Sequence, residues 1–320
     1  LDVPRTRVPP GRLPSRPRAT RLVVAAAGYG KTTWTEAAGG GGAVRWLRAD
    51  QVGPADLALD SDTTALVVED LHRVTAQRQA DLVERVAGLP SAVTVTLTSR
   101  DPLPGQVRSR LKSPVSTVGP AGLALTPVMV AAMLAEEHGL DDPELPTRVH
   151  AATAGWPVLA HLAAEASSRS PGADLVTTLS QPEGQAAAWL RSEVLDPLPH
   201  EVVEALEVMA DFEPLTAELL RHLRRQLGAA SPGGSPDEDI VDRLRATGLL
   251  VPHPRGVLVG REELRLVPVL RAVLKATRAQ AAPSPDLLQA AAAWYEEHDL
   301  GFPAVDAYRR CGSEGRVRDL

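Results

Sequence analysis

The sequence is poor in aromatic residues, lysine and cysteine, and each scarcity removes options. Aromatics make up 3% of the 320 residues, so the cores have to be built from Leu, Val and Ala. A single cysteine, Cys311, excludes an internal disulfide framework and fits a reducing, cytoplasmic compartment. The eight histidines are scattered without paired ligand spacing. No metal site is expected beyond one that a nucleotide would bring. No apolar run approaches the roughly 18 residues of a membrane span, so no membrane partner is expected. A net charge of −6 argues against a chain coated by nucleic acid, for which a basic face is needed. Lysine stands at positions 31, 112 and 275 alone, and arginine carries the remaining positive charge.

What remains is ordinary globular material, 44% hydrophobic and 23% charged, long enough for roughly two to four domains. Strand-like and helix-like stretches alternate in the first third. Leu22–Ala27 reads as a buried strand and Lys31–Ala38 as a helix ended by the run Gly39–Gly42. Val44–Leu47, Ala65–Asp70 and Ala92–Arg100 read as strands, with a helix over Ala76–Ala87. Such alternation predicts an α/β fold, a parallel sheet with flanking helices. After Pro120 the pattern turns helical. Thr126 reads as an N-cap with Pro127 at the first helical position, the helix running to about Glu137. Pro146–Ala154 and Pro157–Ser168 form a helix pair broken at Gly155-Trp156-Pro157. Further helices are expected over Ala186–Leu195, Glu201–Ala210, Ala217–Leu227 and Ile240–Thr247. Gly228–Asp239 reads as a mobile loop and Leu249–Val259 as a small hairpin, together a winged-helix pattern. Leu287–His298 and Pro303–Cys311 pair as antiparallel helices that could open a superhelical repeat array. The chain starts at Leu1 and ends on "GSEGRVRDL" amid helices, which suggests part of a longer protein.

One stretch carries chemistry. In "AAAGYGKTT", Gly28 and Gly30 permit the backbone that turns amides inward around a phosphate. The helix beginning at Lys31 presents its free amides and dipole. Lys31 then reaches the β- and γ-phosphates, and the Thr32 hydroxyl can ligate Mg²⁺. The strict pattern has glycine where this chain has Ala25, and the plain alternative is a glycine turn. Glu69 and Asp70, at the end of an apolar strand, suit a Mg²⁺–nucleotide site, although solvated strand-end acids are common. Arg100 ends the next strand. It is placed either to face a γ-phosphate or to pair with Asp101 at the surface. All three features fall at strand C-terminal ends, where open α/β sheets bind ligands.

These residues resemble the nucleotide-binding core of the STAND-class P-loop ATPases, in particular the MalT-like, large LuxR-type transcriptional regulators. The resemblance runs through "AGYGKTT", "WLRAD" (Trp46–Asp50), "VVEDLH" (Val67–His72), "TSRDPLP" (Thr98–Pro104) and "LALTPVMVAAML" (Leu123–Leu134). It continues through "AGWPVLAHLAA" (Ala154–Ala164), "EVLDPLPHEVVEAL" (Glu193–Leu206), "LRATGLLVP" (Leu244–Pro252) and the pair "AAAWYEEHDL…AVDAYRRCG". The resemblance implies a P-loop domain over 1–121, a helical subdomain over 122–180, a winged helix over 181–280 and the start of a TPR-like arm over 281–320. It implies ATP or ADP with Mg²⁺ as cofactors, held by Ala27, Gly28, Tyr29, Gly30, Lys31, Thr32 and Thr33, with Pro157 packed on the base. Thr32, Glu69 and Asp70 would serve the metal, Glu69 and Asp70 the attacking water, and Arg100 the γ-phosphate. It further implies ADP between the sheet and winged-helix domains in a closed state. ATP and an inducer, or a regulatory protein on a longer sensor arm, would favour opening and self-association. DNA would be met only through an output domain outside this chain. Hydrolysis would be slow.

Three departures from the family pattern stand out. Glu69 replaces its first strand-end Asp. Val267 stands where the family often has a histidine near the phosphate, implying weaker ADP retention unless Arg265 substitutes. The Trp46–Ala65 segment is short, so a helix between the strands is expected to be absent. Competing readings are a remodelling ATPase and a degenerate P-loop scaffold, the latter favoured by Ala25, Glu69 and Val267. Plainer roles fit several other residues. His72 reads as a packing or hydrogen-bonding residue, with orientation of water as the alternative, His253 as a wing residue, and Trp156 as either core or contact. Trp294 and Tyr295 read as core. Arg5, Arg7, Arg12, Arg16 and Arg18 read as a solvated basic tail, and Arg221, Arg224 and Arg225 only weakly suggest DNA.

Overall fold

The computed structural model describes residues 20–38, 42–53, 57, 59–60, 62–90, 92–111, 114–228, 236–254, 263–277 and 283–319. The basic tail of residues 1–19 lies outside them. By their contacts the residues form two units. One runs to Pro171 and takes in Ala246–Gly248; the other comprises Gly172–Arg245 and the chain from Leu249.

The first unit is built on five parallel strands: β1 (Thr20–Val24), β2 (Ala43–Arg48), β3 (Thr63–Glu69), β4 (Thr94–Ser99) and β5 (Val115–Val118), in the order β2-β3-β4-β1-β5. β1 is paired on both sides, Thr20 lying opposite Val95 of β4 and Val115 of β5. That burial on both faces and both edges explains its uninterrupted apolar run. Helices α1 (Lys31–Ala38), α2 (Ala76–Ala87) and α3 (Gly105–Arg108) connect strands, and α4 (Pro120–Leu123) follows β5. The apolar stripe of α2, Leu82, Val83 and Val86, packs with Leu22, Val24, Leu66, Val68, Val95 and Leu97 into one core. β5 is an additional strand that the sequence reading passed over, because "VSTV" is half exposed and shows no clear period. Among the described residues between β2 and β3 there is no helix.

Three more helices complete this unit: α5 (Pro127–His138), α6 (Leu145–Thr153) and α7 (Pro157–Arg169). The Thr126 hydroxyl caps α5 by accepting from the Met129 amide at 3.3 Å, with Pro127 behind it. The break between α6 and α7 consists of Ala154 and Gly155, both left-handed at φ 53° and 74°. Gly155 is required there: a Cβ would stand 2.3 Å from the Leu125 carbonyl oxygen.

The second unit contains α8 (Leu175–Leu179), α9 (Gln185–Leu190), α10 (His200–Met209), α11 (Ala217–Gln226), α12 (Pro236–Thr247, whose last two residues group with the sheet), strands β6 (Leu250–Pro252) and β7 (Leu264–Leu266), and α13 (Pro268–Thr277). The expected helix Ala186–Leu195 is α-helical to Leu190 and widens into a π-turn over Arg191–Leu195. α12 begins at Pro236, earlier than expected, and residues 229–235 of the expected loop lie outside the described set. β6 pairs antiparallel with β7, Leu250 opposite Leu266, and residues 255–259 of the expected hairpin lie outside the described set. Finally α14 (Pro285–Glu297) and α15 (Gly301–Arg310) pack together ahead of α16 (Glu314–Asp319). Trp294 and Tyr295 are core residues, and the Tyr295 hydroxyl donates to the Pro214 carbonyl at 3.0 Å. Arg224 is buried, so the arginines of α11 do not form one exposed basic face.

Candidate functional site

β1 ends at Val24, and residues 25–30 form a loop that feeds directly into α1. Gly28 and Gly30 adopt φ 71° and 76°, conformations that L side chains rarely adopt. Ala25 has no such conformation and is fully buried, its amide donating to the Ser99 carbonyl at 3.3 Å. Alanine is therefore accommodated where the strict motif has glycine. In front of Gly30 the space is open, since a Cβ there would meet nothing within 4 Å.

Lys31 folds back over this loop. Its ammonium donates to the carbonyls of Ala25 and Ala26 at 2.8 and 2.9 Å. Burial pushes its pKa down to about 8, and the charge of Arg100 adds to that; Asp70, Glu69 and Asp101 oppose it. The next residue, Thr32, donates through its hydroxyl to Glu69 Oε1 at 2.7 Å. The start of α1 and the end of β3 are thus brought together by two oxygen-bearing side chains. Thr33 follows on α1, half-buried.

Asp70 departs from the expected strand. β3 ends at Glu69, and Asp70 turns left-handed at φ 59°. Its amide donates to Thr98 Oγ1 at 3.2 Å, and its carboxylate lies 3.7 Å from Arg73 Nε and 3.9 Å from His72 Nδ1. Asp is among the residues that tolerate this conformation best. His72 accepts the Arg100 amide on Nδ1 at 3.2 Å, linking the ends of β3 and β4. Burial holds the His72 pKa down to about 4, Arg100 and Lys31 adding to the shift while Asp70 opposes it. Its role is thus hydrogen bonding in a semi-buried position.

Residues that the local motif did not mark as loop partners hold the loop from behind. Trp156 is wholly buried, and its indole N–H donates to the Ala27 carbonyl at 2.9 Å. The Tyr29 ring stacks on it with centroids 4.8 Å apart and 22° between planes. The Tyr29 hydroxyl donates to the Gly248 carbonyl at 2.8 Å, and the Ala26 amide donates to the Thr247 carbonyl at 2.8 Å. Pro157 opens α7, and the following amide, Val158, donates to the Gly28 carbonyl at 3.2 Å. The Gly-Trp-Pro break was visible in the sequence; nothing local marks Thr247 or Gly248.

The donor set suits a magnesium nucleotide. Magnesium takes hard oxygen ligands, few of them from protein, and Thr32 and Glu69 supply two, with Asp70 alongside. Among the described residues no group of three or more His, Cys, Asp or Glu could hold a metal on its own. No described helix is long and apolar enough to cross a membrane.

The sequence matches no family model and no curated protein. Among solved structures, the chain is similar to a Walker-type ATPase of Pyrococcus abyssi at 13% identity, over 80% of this chain and 90% of that one, with a TM-score of 0.51. Looser likenesses link it to a STAND protein with a tetratricopeptide repeat sensor from Pyrococcus horikoshii (15% identity, 95% and 47% of the two chains, TM-score 0.33). Another is to the RuvB Holliday junction branch migration motor of Thermotoga maritima (15%, 75% and 83%, TM-score 0.36). These last two are too distant in geometry to carry an argument. The first, together with the parallel five-stranded sheet and its flanking helices, shows that the sheet unit has the α/β P-loop NTPase fold.

Proposed function

We propose that this chain is an ATP/ADP-dependent switch of the STAND kind, part of a transcriptional regulator resembling MalT. The observation that supports it most is the convergence of Lys31, Thr32 and Glu69 at the mouth of a loop whose glycines are left-handed. In this reading Lys31 exchanges its bonds to the Ala25 and Ala26 carbonyls for phosphate oxygens, so the ammonium that shapes the loop is also the one that binds. Thr32, Glu69 and Asp70 would hold Mg²⁺, which when bound neutralises phosphate charge. Arg100, half-buried at the end of β4, is assigned to the γ-phosphate and Pro157 to the base. Glu69 orients water, and its arm, longer than that of Asp, suits slow hydrolysis, as a switch needs lifetime more than flux.

The second unit, with α10, α11, α12 and the β6–β7 hairpin, is read as a winged helix over 181–280, and the α14–α15 pair as the opening of a repeat arm. ATP-state self-association, an inducer or regulatory protein on a longer arm, DNA contact through a separate output domain and a cytoplasmic location all belong to this proposal.

The test is the nucleotide content of the purified chain, denatured and chromatographed beside Lys31→Ala. Stoichiometric ADP in wild type and none in the variant supports the switch, and also shows that Val267 does not abolish retention. A wild type that is empty and fails to bind ATP–Mg²⁺ refutes it. Steady turnover in the ordinary enzyme range, about 1 s⁻¹ or faster, would favour a working ATPase over a switch.

A further inference from the structure

The phosphate loop presents its amides forward only if its other groups are fixed backward, and two of its carbonyls are fixed this way. Trp156 and Val158 take the carbonyls of Ala27 and Gly28. The third tie comes from residues 246–248. They group with the sheet unit, although the chain up to Arg245 and from Leu249 groups with the other. This strap meets the loop twice, through the Ala26 amide on the Thr247 carbonyl and the Tyr29 hydroxyl on the Gly248 carbonyl.

The fit at the second point is close. Gly248 is left-handed at φ 86°, and a Cβ there would lie 2.5 Å from the Tyr29 oxygen and 2.7 Å from Pro120 Cβ. Tyr29 is 1% exposed, and burial pushes its phenol above the ordinary value, so the hydroxyl keeps its proton and donates. Its ring cannot swing away without leaving Trp156, which itself holds Ala27. Loop, indole and strap therefore form one interlocked set, and a change at either end is felt at the other.

We propose that the Tyr29 hydroxyl is a positioning group that ties the strap at 247–248 to the phosphate loop, so that nucleotide hold and strap seating strengthen each other. The proposal rests on the nucleotide-binding reading above. By linkage the coupling is reciprocal: whatever seats the strap tightens nucleotide, and nucleotide seats the strap. The Tyr29 hydroxyl, turned to Gly248, touches no nucleotide in this account; its effect is exerted through the direction of the loop amides.

The experiment compares the full chain with Tyr29→Phe, which keeps the stack on Trp156 and removes only the hydroxyl, and with Gly248→Ala and the double variant. Affinity for ADP–Mg²⁺ is measured by calorimetry, and hydrogen exchange at the Ala26 amide is followed with and without nucleotide. Tyr29→Phe should weaken ADP by more than twofold and by at most about tenfold, the upper limit being the whole worth of one buried hydrogen bond. Saturating ADP should slow Ala26 exchange in wild type and do so less in the variant. The double variant should lose no more than Gly248→Ala alone. Equal ADP affinity within twofold, with the same nucleotide protection at Ala26, overturns the proposal. If wild type binds no nucleotide, the reading in the preceding section fails by itself. Ala26 exchange in nucleotide-free Tyr29→Phe then decides the tie, faster exchange supporting it and unchanged exchange overturning it.

Discussion

Gly155→Ala should destabilise the sheet unit by about 3–4 kcal/mol, and each part of that figure comes from the α6–α7 break. Alanine at φ 74° costs about 1–2 kcal/mol relative to a right-handed conformation. Its Cβ would lie 2.3 Å from the Leu125 carbonyl oxygen, where ordinary contact begins at 3.4 Å. Relief needs a backbone shift of about 1 Å in an interior packed to crystal density, which costs about 1–3 kcal/mol. That shift stretches the bond from the Leu125 amide to the Gly155 carbonyl, now 2.8 Å, worth about 1 kcal/mol. Reduced freedom of the unfolded chain returns about 0.4–1 kcal/mol. At about 2–4 °C per kcal/mol for a unit of this size, the melting temperature should fall by about 10 °C. The neighbouring change Ala154→Gly has the opposite sign. It relieves a non-glycine residue at φ 53° that closes α6 and should raise the melting temperature by a few degrees. Both are read by thermal melting without nucleotide. A Gly155→Ala protein melting within about 2 °C of wild type, or Ala154→Gly falling as far, refutes the reasoning.

Three further outcomes are expected. Trp156→Phe removes the indole donor and orphans the Ala27 carbonyl, costing about 2 kcal/mol, whereas Trp46→Phe, at a surface residue, should stay within about 0.5 kcal/mol; chemical denaturation separates them. Glu69→Gln should keep ADP but lower ATP turnover about a hundredfold, and unchanged single-turnover hydrolysis would remove Glu69 from the chemistry. Acid should weaken the sheet unit in a defined window. Burial, with His138 at 3.1 Å, holds the His161 pKa down to about 4, and burial does the same for His72. Both lie below the unfolded value of about 6.5, so the unfolded chain binds more protons between about pH 6.5 and 4 and stability falls across that range. Melting curves of His161→Gln should show a shallower fall there, and an identical profile would contradict the assignment.

The parts legible in the sequence are those governed by neighbours in the chain. The Thr126 cap, the start of α1 at Lys31 and the apolar stripe of α2 all follow from spacings of four residues or fewer. The meeting of Thr32 with Glu69 followed from chemistry: both residue types stand at ends of elements that a magnesium site would draw together. Strand order was not legible, because pairing β1 with β4 and β5 instead of β2 leaves no local trace. Nor was the left-handed turn at Asp70, whose amide is held by Thr98 on another strand. The pairing of β6 with Leu264–Leu266 was not read, because those residues lie well beyond the first turn signals. Trp156 was ambiguous since an apolar ring with one donor serves core and contact equally, and only its distant partner, Ala27, decides.

The order of the strands also bears on synthesis at the ribosome. β1 leaves the tunnel before both of its neighbours, which come much later in the chain, and the Tyr29–Gly248 bond spans 219 residues. Such distant pairing is slow to form and has to wait for the partner to emerge. At about 5–20 residues per second, the apolar "LVVAAA" segment therefore waits for many seconds before β4 and β5 cover it. During that wait it is an uncovered apolar segment of the kind that chaperones shield.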